Sequence, residues 1–365
     1  MAAKSDVDLG FAERSHSWRL LSHFFPSKIG GKPAWLALNN LPKSDELCCG
    51  VCGKPCLFLL QVYAPVNELD TCFHRTLFIF MCKEATCSGV NDNRSFKVFR
   101  SQLTRDNQFY SSEAPDYDAG PGDKYPKADD YLTLCSVCGS EGSKKCAQCK
   151  SVSYCSKEHQ TLHWKAGHKT YCKQPGKAAT PVAVDLLFPE FELITEPEEI
   201  DDSDSDSEER TEEDKMKDYE QVVTELRNKD SQNLLQDAGG SVDKDLENMA
   251  MKDSQVDQQF AAFKKRIKPF PDQILRYNIG GEPLWVSSAH RALSSDIPPC
   301  KHCSAPRKFE FQILPQLLLE LKLDSTGTSI DWGTLVIYTC SNNCNDGPLY
   351  KEEFLWKQDY SDVNI

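Results

Sequence analysis

Four closely spaced pairs of metal-binding side chains dominate one short stretch of this chain: Cys135-x2-Cys138, Cys146-x2-Cys149, Cys155-x3-His159 and His168-x3-Cys172. The eight residues fall within thirty-eight positions, too few to enclose an apolar core. Zinc takes four soft or borderline ligands, and a Cys-x2-Cys knuckle lets two thiolates reach one ion. Eight ligands therefore make two tetrahedral sites. In small modules structural zinc contributes about 10–16 kcal/mol of apparent binding free energy to folding. The stretch is expected to fold around metal and to be structural rather than catalytic. His163, four positions after His159, offers a second imidazole for the same site, so that ligand has two candidates.

Composition narrows the setting. A length of 365 residues suggests two or three domains. Met1–Gly10 lacks the apolar stretch of a secretory leader, and no apolar run reaches bilayer length. The expectation is a reducing, intracellular compartment, where Cys-x2-Cys spacings mean metal rather than disulfides. The odd total of 17 Cys agrees poorly with complete disulfide pairing. The net charge of −13 is concentrated in one run, because Glu196–Asp214 holds twelve acidic residues against Arg210 alone. The metal-binding stretch is locally basic, with eight Lys between Cys135 and Lys177 against Glu141 and Glu158.

A repeat flanks that stretch. Ile29-Gly30-Gly31-Lys32-Pro33-Ala34-Trp35 is matched 250 positions later by Ile279-Gly280-Gly281-Glu282-Pro283-Leu284-Trp285. A knuckle follows each, Cys49-x2-Cys52 and Cys300-x2-Cys303, and then an apolar run, Phe58–Tyr63 or Phe309–Leu314. A second run from Thr76 or Thr334 ends in Cys82-x4-Cys87 or Cys340-x3-Cys344. These runs are short and rich in β-branched and aromatic residues, so they read as strands. Antiparallel pairing within each copy would gather Cys49, Cys52, Cys82 and Cys87 in one, and Cys300, Cys303, Cys340 and Cys344 in the other. Two readings follow: a zinc at the root of each hairpin, or reduced cysteines buried in a β core. Cys48, Cys56 and Cys72 have no counterpart in the second copy and read as core or incidental; Cys48 could replace Cys49 only by breaking the repeat register. Gly-Gly-x-Pro-x-Trp reads as a turn whose Trp packs into the core, since phosphate-loop spacing is missing.

The fold class is accordingly α+β: a β-rich domain in two copies with knuckle hairpins, over 1–130 and 255–365, interrupted by the metal-bound module over 131–177. Residues 178–195 read as a strand added to the main sheet. Residues 196–254 are acidic and poor in aromatics and are expected to be a disordered linker. Within it, Ser203 and Ser205 are each followed three residues on by an acidic side chain, which suits an acidophilic kinase. Phe260, Phe263 and Ile267 recur at helical spacing and predict an amphipathic helix stopped by Pro269 and Pro271, packed on the second copy.

With Tyr154-Cys155-Ser156 and the ending His163-Trp164…His168-x3-Cys172, the central stretch resembles the MYND zinc finger. The resemblance implies cross-bracing, with Cys135, Cys138, Cys155 and His159 on one zinc and Cys146, Cys149, His168 and Cys172 on the other. That family usually has Cys where His159 stands. Adding the paired Ile-Gly-Gly-x-Pro-x-Trp elements and Asp331-Trp332-Gly333…Cys340, nearly the whole chain is similar to the programmed cell death protein 2 family. The resemblance implies a duplicated β-rich domain split by the finger. It also implies a non-enzymatic chaperone that captures a newly made, basic small-subunit ribosomal protein of the S5 family. Such a role supports 40S ribosome biogenesis and proliferation, with residence in cytoplasm and nucleus and links to cell death and stem-cell maintenance. Zinc is the expected cofactor, two ions and up to four.

Two other functions compete. A transcriptional co-regulator scaffold would use the finger to hold proline-containing co-repressor peptides. A zinc hydrolase or transferase would need an open coordination position, and four protein ligands per site leave none. No Ser-His-Asp order, His-Glu-x-x-His or P-loop stands out. Direct nucleic-acid binding is not expected, because the finger's lysines lack a base-reading Arg helix. No membrane partner is expected. The acidic run offers an anionic surface that could shield a basic client, or fold back on the basic finger when the client is absent.

Overall fold

The computed structural model describes residues 3–118, 120, 125–174, 184–200, 258–323 and 330–360. One antiparallel sheet of eleven strands organises them. Copy one supplies β2 (Lys28–Ile29), β3 (Leu57–Tyr63), β4 (His74–Met81) and β5 (Phe96–Leu103). The finger holds a separate two-stranded ribbon, β6 (Lys144–Lys145) and β7 (Ser153–Tyr154). Then come β8 (Phe191–Ile200), β9 (Leu275–Tyr277), β10 (Arg307–Ile313), β11 (Thr334–Cys340), β12 (Tyr350–Glu352) and β13 (Phe354–Gln358). β1 (Ala3–Glu13) runs antiparallel to both β8 and β9, so β8 and β1 lie between copy one and copy two.

Among the described residues one segment carries both ends of the sheet. Its terminal pairs are β12 on β5 and β13 on β11, and β12 and β13 are one strand interrupted only at Glu353. A single C-terminal segment therefore joins copy one to copy two, which shortens the unpaired edges that invite aggregation. The Glu353 amide donates to the Val98 carbonyl of β5 (2.9 Å). Its carboxylate accepts from Arg100 of β5 (2.8 Å) and from Arg307 of β10 (2.9 Å).

The duplication is visible in local detail. β3 pairs β4 from Leu57↔Met81, β10 pairs β11 from Arg307↔Cys340, and each hairpin has a bulge at the matching place, between Phe58 and Leu60 or between Phe309 and Phe311. Gln61 clasps the backbone of Ala34, accepting from its N–H (2.9 Å) and donating to its carbonyl (3.2 Å). Gln312 does the same to Leu284, at 2.5 and 2.9 Å. The clasp holds the Gly-Gly-x-Pro-x-Trp turn over the strand. Gly30 and Gly280 have φ of 60° and 79°, and a Cβ on Gly30 would stand 2.0 Å from the Pro189 carbonyl oxygen, so the turn requires glycine there.

Three features depart from the sequence reading. The added strand begins at Phe191 and continues to Ile200, five residues into the stretch assigned to the linker. Its acidic residues are tolerated because Glu196 and Glu199 point to solvent, while the buried Glu198 pairs with Arg276 (2.8 Å) and Arg266 (2.6 Å). Second, Trp35 is buried at 1 % exposure, but Trp285 is only half-buried. Third, β1 lies between the copies rather than within copy one. Ser203, Ser205 and the rest of the expected linker lie outside the described residues. The expected helix spans 258–267, and Phe263 and Ile267 pack on Val286 and Leu314 of copy two. Among the described residues no helix is long and apolar enough to cross a membrane.

Candidate metal centres

Among the described residues, cysteine and histidine donor atoms converge at four places, each set lying within 4.8 Å of one another: Cys49, Cys52, Cys82 and Cys87; Cys135, Cys138, Cys155 and His159; Cys146, Cys149, His168 and Cys172; Cys300, Cys303, Cys340 and Cys344. A tetrahedral zinc with Zn–S bonds of about 2.3 Å would hold its sulfurs about 3.8 Å apart. Observed separations are 3.7 Å for Cys52–Cys82, 3.6 Å for Cys138–Cys155, 3.8 Å for Cys146–Cys172 and 3.7 Å for Cys300–Cys344. The donor sets therefore fit zinc in number, softness and spacing.

Each centre is built by local rules. Hairpin pairing returns Cys82 to Cys52 and Cys340 to Cys303, the latter pair at 3.4 Å. Knuckle backbones aim N–H groups at thiolates. Burial works against the Cys300 thiolate, but the amides of His302 and Cys303 together with hydrogen bonds from Cys344 and Cys340 outweigh it and bring the thiol down to about 7. At Cys146 burial is likewise outweighed, by the amides of Cys149 and Gln148 and by His168, and the thiol falls to about 6. Lowered thiols favour the ligating form. Burial pushes other cluster thiols up, Cys82, Cys87, Cys172, Cys340 and Cys344 among them, as it does Cys56, but the Cys56 Sγ contacts the Ser95 carbonyl rather than any cluster. Cys48 and Cys72 also stand outside the clusters: Cys48 Sγ donates to the Ser44 carbonyl, and Cys72 is fully buried.

In the finger, the run Tyr154-Cys155-Ser156 has a clear division of labour. Ser156 is the N-cap of α1 (Lys157–His163), accepting from the His159 amide at 3.1 Å, a preferred capping arrangement. The cap starts the helix so that His159 Nδ1 reaches Cys155 Sγ at 3.1 Å and Cys135 Sγ at 3.7 Å. His163 belongs to neither donor set of the finger. Its Nδ1 meets the Tyr154 hydroxyl at 2.9 Å, and its ring stacks on His168 with centroids 5.0 Å apart. His168 in turn presents Nε2 to Cys149 at 3.6 Å. His163 thus orients a ligand instead of being one.

The finger is seated on copy one. Lys32 Nζ donates to the Ser136 carbonyl (2.9 Å), the Trp35 indole to the Gly139 carbonyl (2.8 Å), and the Ser44 hydroxyl to the Glu141 carbonyl (3.4 Å). A cleft of about 560 Å³ separates α1 from the first hairpin centre, lined by Pro55, Leu57, Leu162 and Leu186 among lysines and glutamates. Several important residues escaped the sequence reading: the two clasping glutamines, and the charged groups inside the sheet. Their signal was present as a Gln or Glu inside apolar runs, as in Phe309-Glu310-Phe311.

These features define a class: a zinc-finger protein whose finger is docked on a closed, duplicated β sheet with metal-binding hairpin roots. Residues 135–172 match the MYND finger. Residues 6–117 match the programmed cell death protein 2 N-terminal domain, and residues 257–359 its C-terminal putative domain. Programmed cell death protein 2 of Mus musculus is 44 % identical over 365 residues, covering 99 % of each chain. Human programmed cell death protein 2-like is 29 % identical over 331 residues, covering 87 % of this chain and 85 % of that one. Over 109 residues the chain is 32 % identical to the probable 20S rRNA accumulation protein 4 of Schizosaccharomyces pombe, covering 27 % of this chain and 26 % of that one. This chain belongs to the programmed cell death protein 2 family. No solved structure matches it.

Proposed function

We propose that this protein is a non-enzymatic chaperone that binds a newly made, basic small-subunit ribosomal protein of the S5 family in cytoplasm and nucleus and supports 40S ribosome biogenesis. The observation that carries the reading is the likeness to a relative named for 20S rRNA accumulation, in a chain whose metal centres are all four-ligand sets. Four protein ligands saturate a tetrahedral zinc and leave no position for a reacting water, which favours binding over catalysis. The ions would stabilise the scaffold: Cys135, Cys138, Cys155 and His159 would hold one, and Cys146, Cys149, His168 and Cys172 a second. The cleft beside α1 favours a second reading, in which the finger also holds a short proline-containing peptide of a transcriptional co-repressor.

The chaperone reading is tested by co-expressing the full chain with the ribosomal protein. The expected result is that the ribosomal protein becomes soluble and elutes with the chain as one complex. Aggregation to the same extent with and without the chain would reject the proposal.

A further inference from the structure

The two copies are alike in strand pairing and glutamine clasp and unlike in what covers them. In copy one the Gly-Gly-x-Pro-x-Trp turn is a dock. Lys32 and Trp35 each donate to a finger carbonyl, and Pro33, Ala34 and Trp35 are buried. In copy two the same glutamine clasp holds the same turn over an equivalent aromatic floor, Phe309 and Tyr338 in place of Phe58 and Phe80. Pro283, Leu284 and Trp285 are nevertheless only half-buried. The Trp285 indole N–H, the counterpart of the donor that grips the finger, has no partner among the described residues. Glu282 takes the sequence position of Lys32, after a glycine that is left-handed in copy one (Gly31, φ 65°) and not in copy two; it is exposed and has no ion pair among the described residues. Leu293, on the loop that carries Ala292 and Ile297 against the same floor, is 65 % exposed.

We infer that this face of copy two is a second dock, filled in trans by a turn of a basic polypeptide that offers a main-chain carbonyl to Trp285 and a lysine or arginine to Glu282. The inference rests on the chaperone reading and names the surface it would use. The charge reversal selects the occupant. Lys32 donates to the Ser136 carbonyl, but a carboxylate at that place would meet the same carbonyl acceptor to acceptor. The finger of a second copy is therefore disfavoured, and a cationic donor is favoured. A free indole donor on a half-open aromatic floor is the kind of anchor around which binding energy concentrates.

The probe is the purified S5-family ribosomal protein, labelled and titrated with the full chain by fluorescence anisotropy. Trp285→Phe keeps the ring and removes the donor; the expected loss is about three- to tenfold in affinity. Glu282→Lys restores the copy-one residue and is expected to cost about tenfold or more, with a weaker salt dependence. Glu113→Lys, an exposed charge change on copy one, is expected to shift affinity by no more than about twofold. Zinc content and urea midpoint report whether each variant stays folded. Both copy-two variants binding as tightly as the native chain would overturn the dock and leave the chaperone reading intact. Failure of the native chain to bind the probe would overturn the chaperone reading and this occupant with it. A change in the chain's own sedimentation on Trp285→Phe, with no client present, would assign the face to a second copy and also overturn the inference.

Discussion

His74 shows how far burial controls a single side chain. It is 5 % exposed, its Nδ1 meets the Tyr63 hydroxyl at 3.0 Å, and its ring stacks on Phe25 with centroids 4.1 Å apart. Its Nε2 is buried with no hydrogen-bond partner among the described residues. Desolvation therefore lowers its pKa to about 4, and it is held neutral. In the unfolded chain the same imidazole titrates near pH 6.5. Between about pH 6.5 and pH 4 the unfolded chain binds the extra proton, so this contribution to stability is fully present above the window and is lost as pH falls through it. His74→Phe keeps an aromatic ring and deletes the titration. Urea midpoints of native chain and variant, measured from pH 7.5 to 4.5, should show the native chain losing stability more steeply on acidification. The metal centres are common to both chains and cancel in the comparison. A difference between the two midpoints that does not change with pH would contradict the assignment.

At the scale of elements, the hairpin roots were legible and their neighbours were not. Knuckle spacing, two short apolar runs and a second cysteine pair are local signals, and antiparallel pairing is the simplest geometry joining them. β1 gave no such signal: Lys4, Asp6 and Asp8 interrupt it, and it is a strand because β8 and β9 flank it. The acidic end of β8 is strand for the same reason, with Arg266 and Arg276 supplying what local sequence could not announce. The hairpin centres carry a direct test. Elemental analysis of the purified native chain is expected to find four zinc ions, one for each donor cluster. Cys82→Ser should remove one, since a hydroxyl is a poor replacement for a thiolate on zinc, and Cys340→Ser likewise. Cys72→Ser, outside every cluster, should remove none. A native chain holding only the two finger ions would reduce the hairpin clusters to unligated thiols.

At the scale of the whole molecule, copy one and copy two share charged groups across the interior of the closed sheet. Arg75 of β4 and Glu310 of β10 are both fully buried and form a double contact at 2.5 and 2.7 Å, with Tyr277 (3.1 Å) and Thr339 (2.5 Å) also donating to the carboxylate. Burial alone would raise the Glu310 carboxyl, but the Arg75 charge and hydrogen bonds outweigh it and hold the group below its usual range. Residues 235 positions apart cannot be paired from sequence; only closure of the sheet by the segment around Glu353 brings their strands to face each other. Such a pair need not contribute net stability against well-packed apolar side chains, yet removing one partner strands a charge. Glu310→Ala is expected to cost about 3–5 kcal/mol, measured by urea unfolding, and to loosen both copies together because Arg75 belongs to the other one. Arg75→Met with Glu310→Leu should recover most of that loss, leaving the chain within about 1–2 kcal/mol of native. Near-UV dichroism and zinc release report different parts of the molecule, so their midpoints should move in step in Glu310→Ala. Separation of the two midpoints would mean that the copies unfold independently and that the ion pair is a local feature of β10. Coincidence would mean that the duplicated halves, the strand that closes them and the finger seated on one of them form a single cooperative unit.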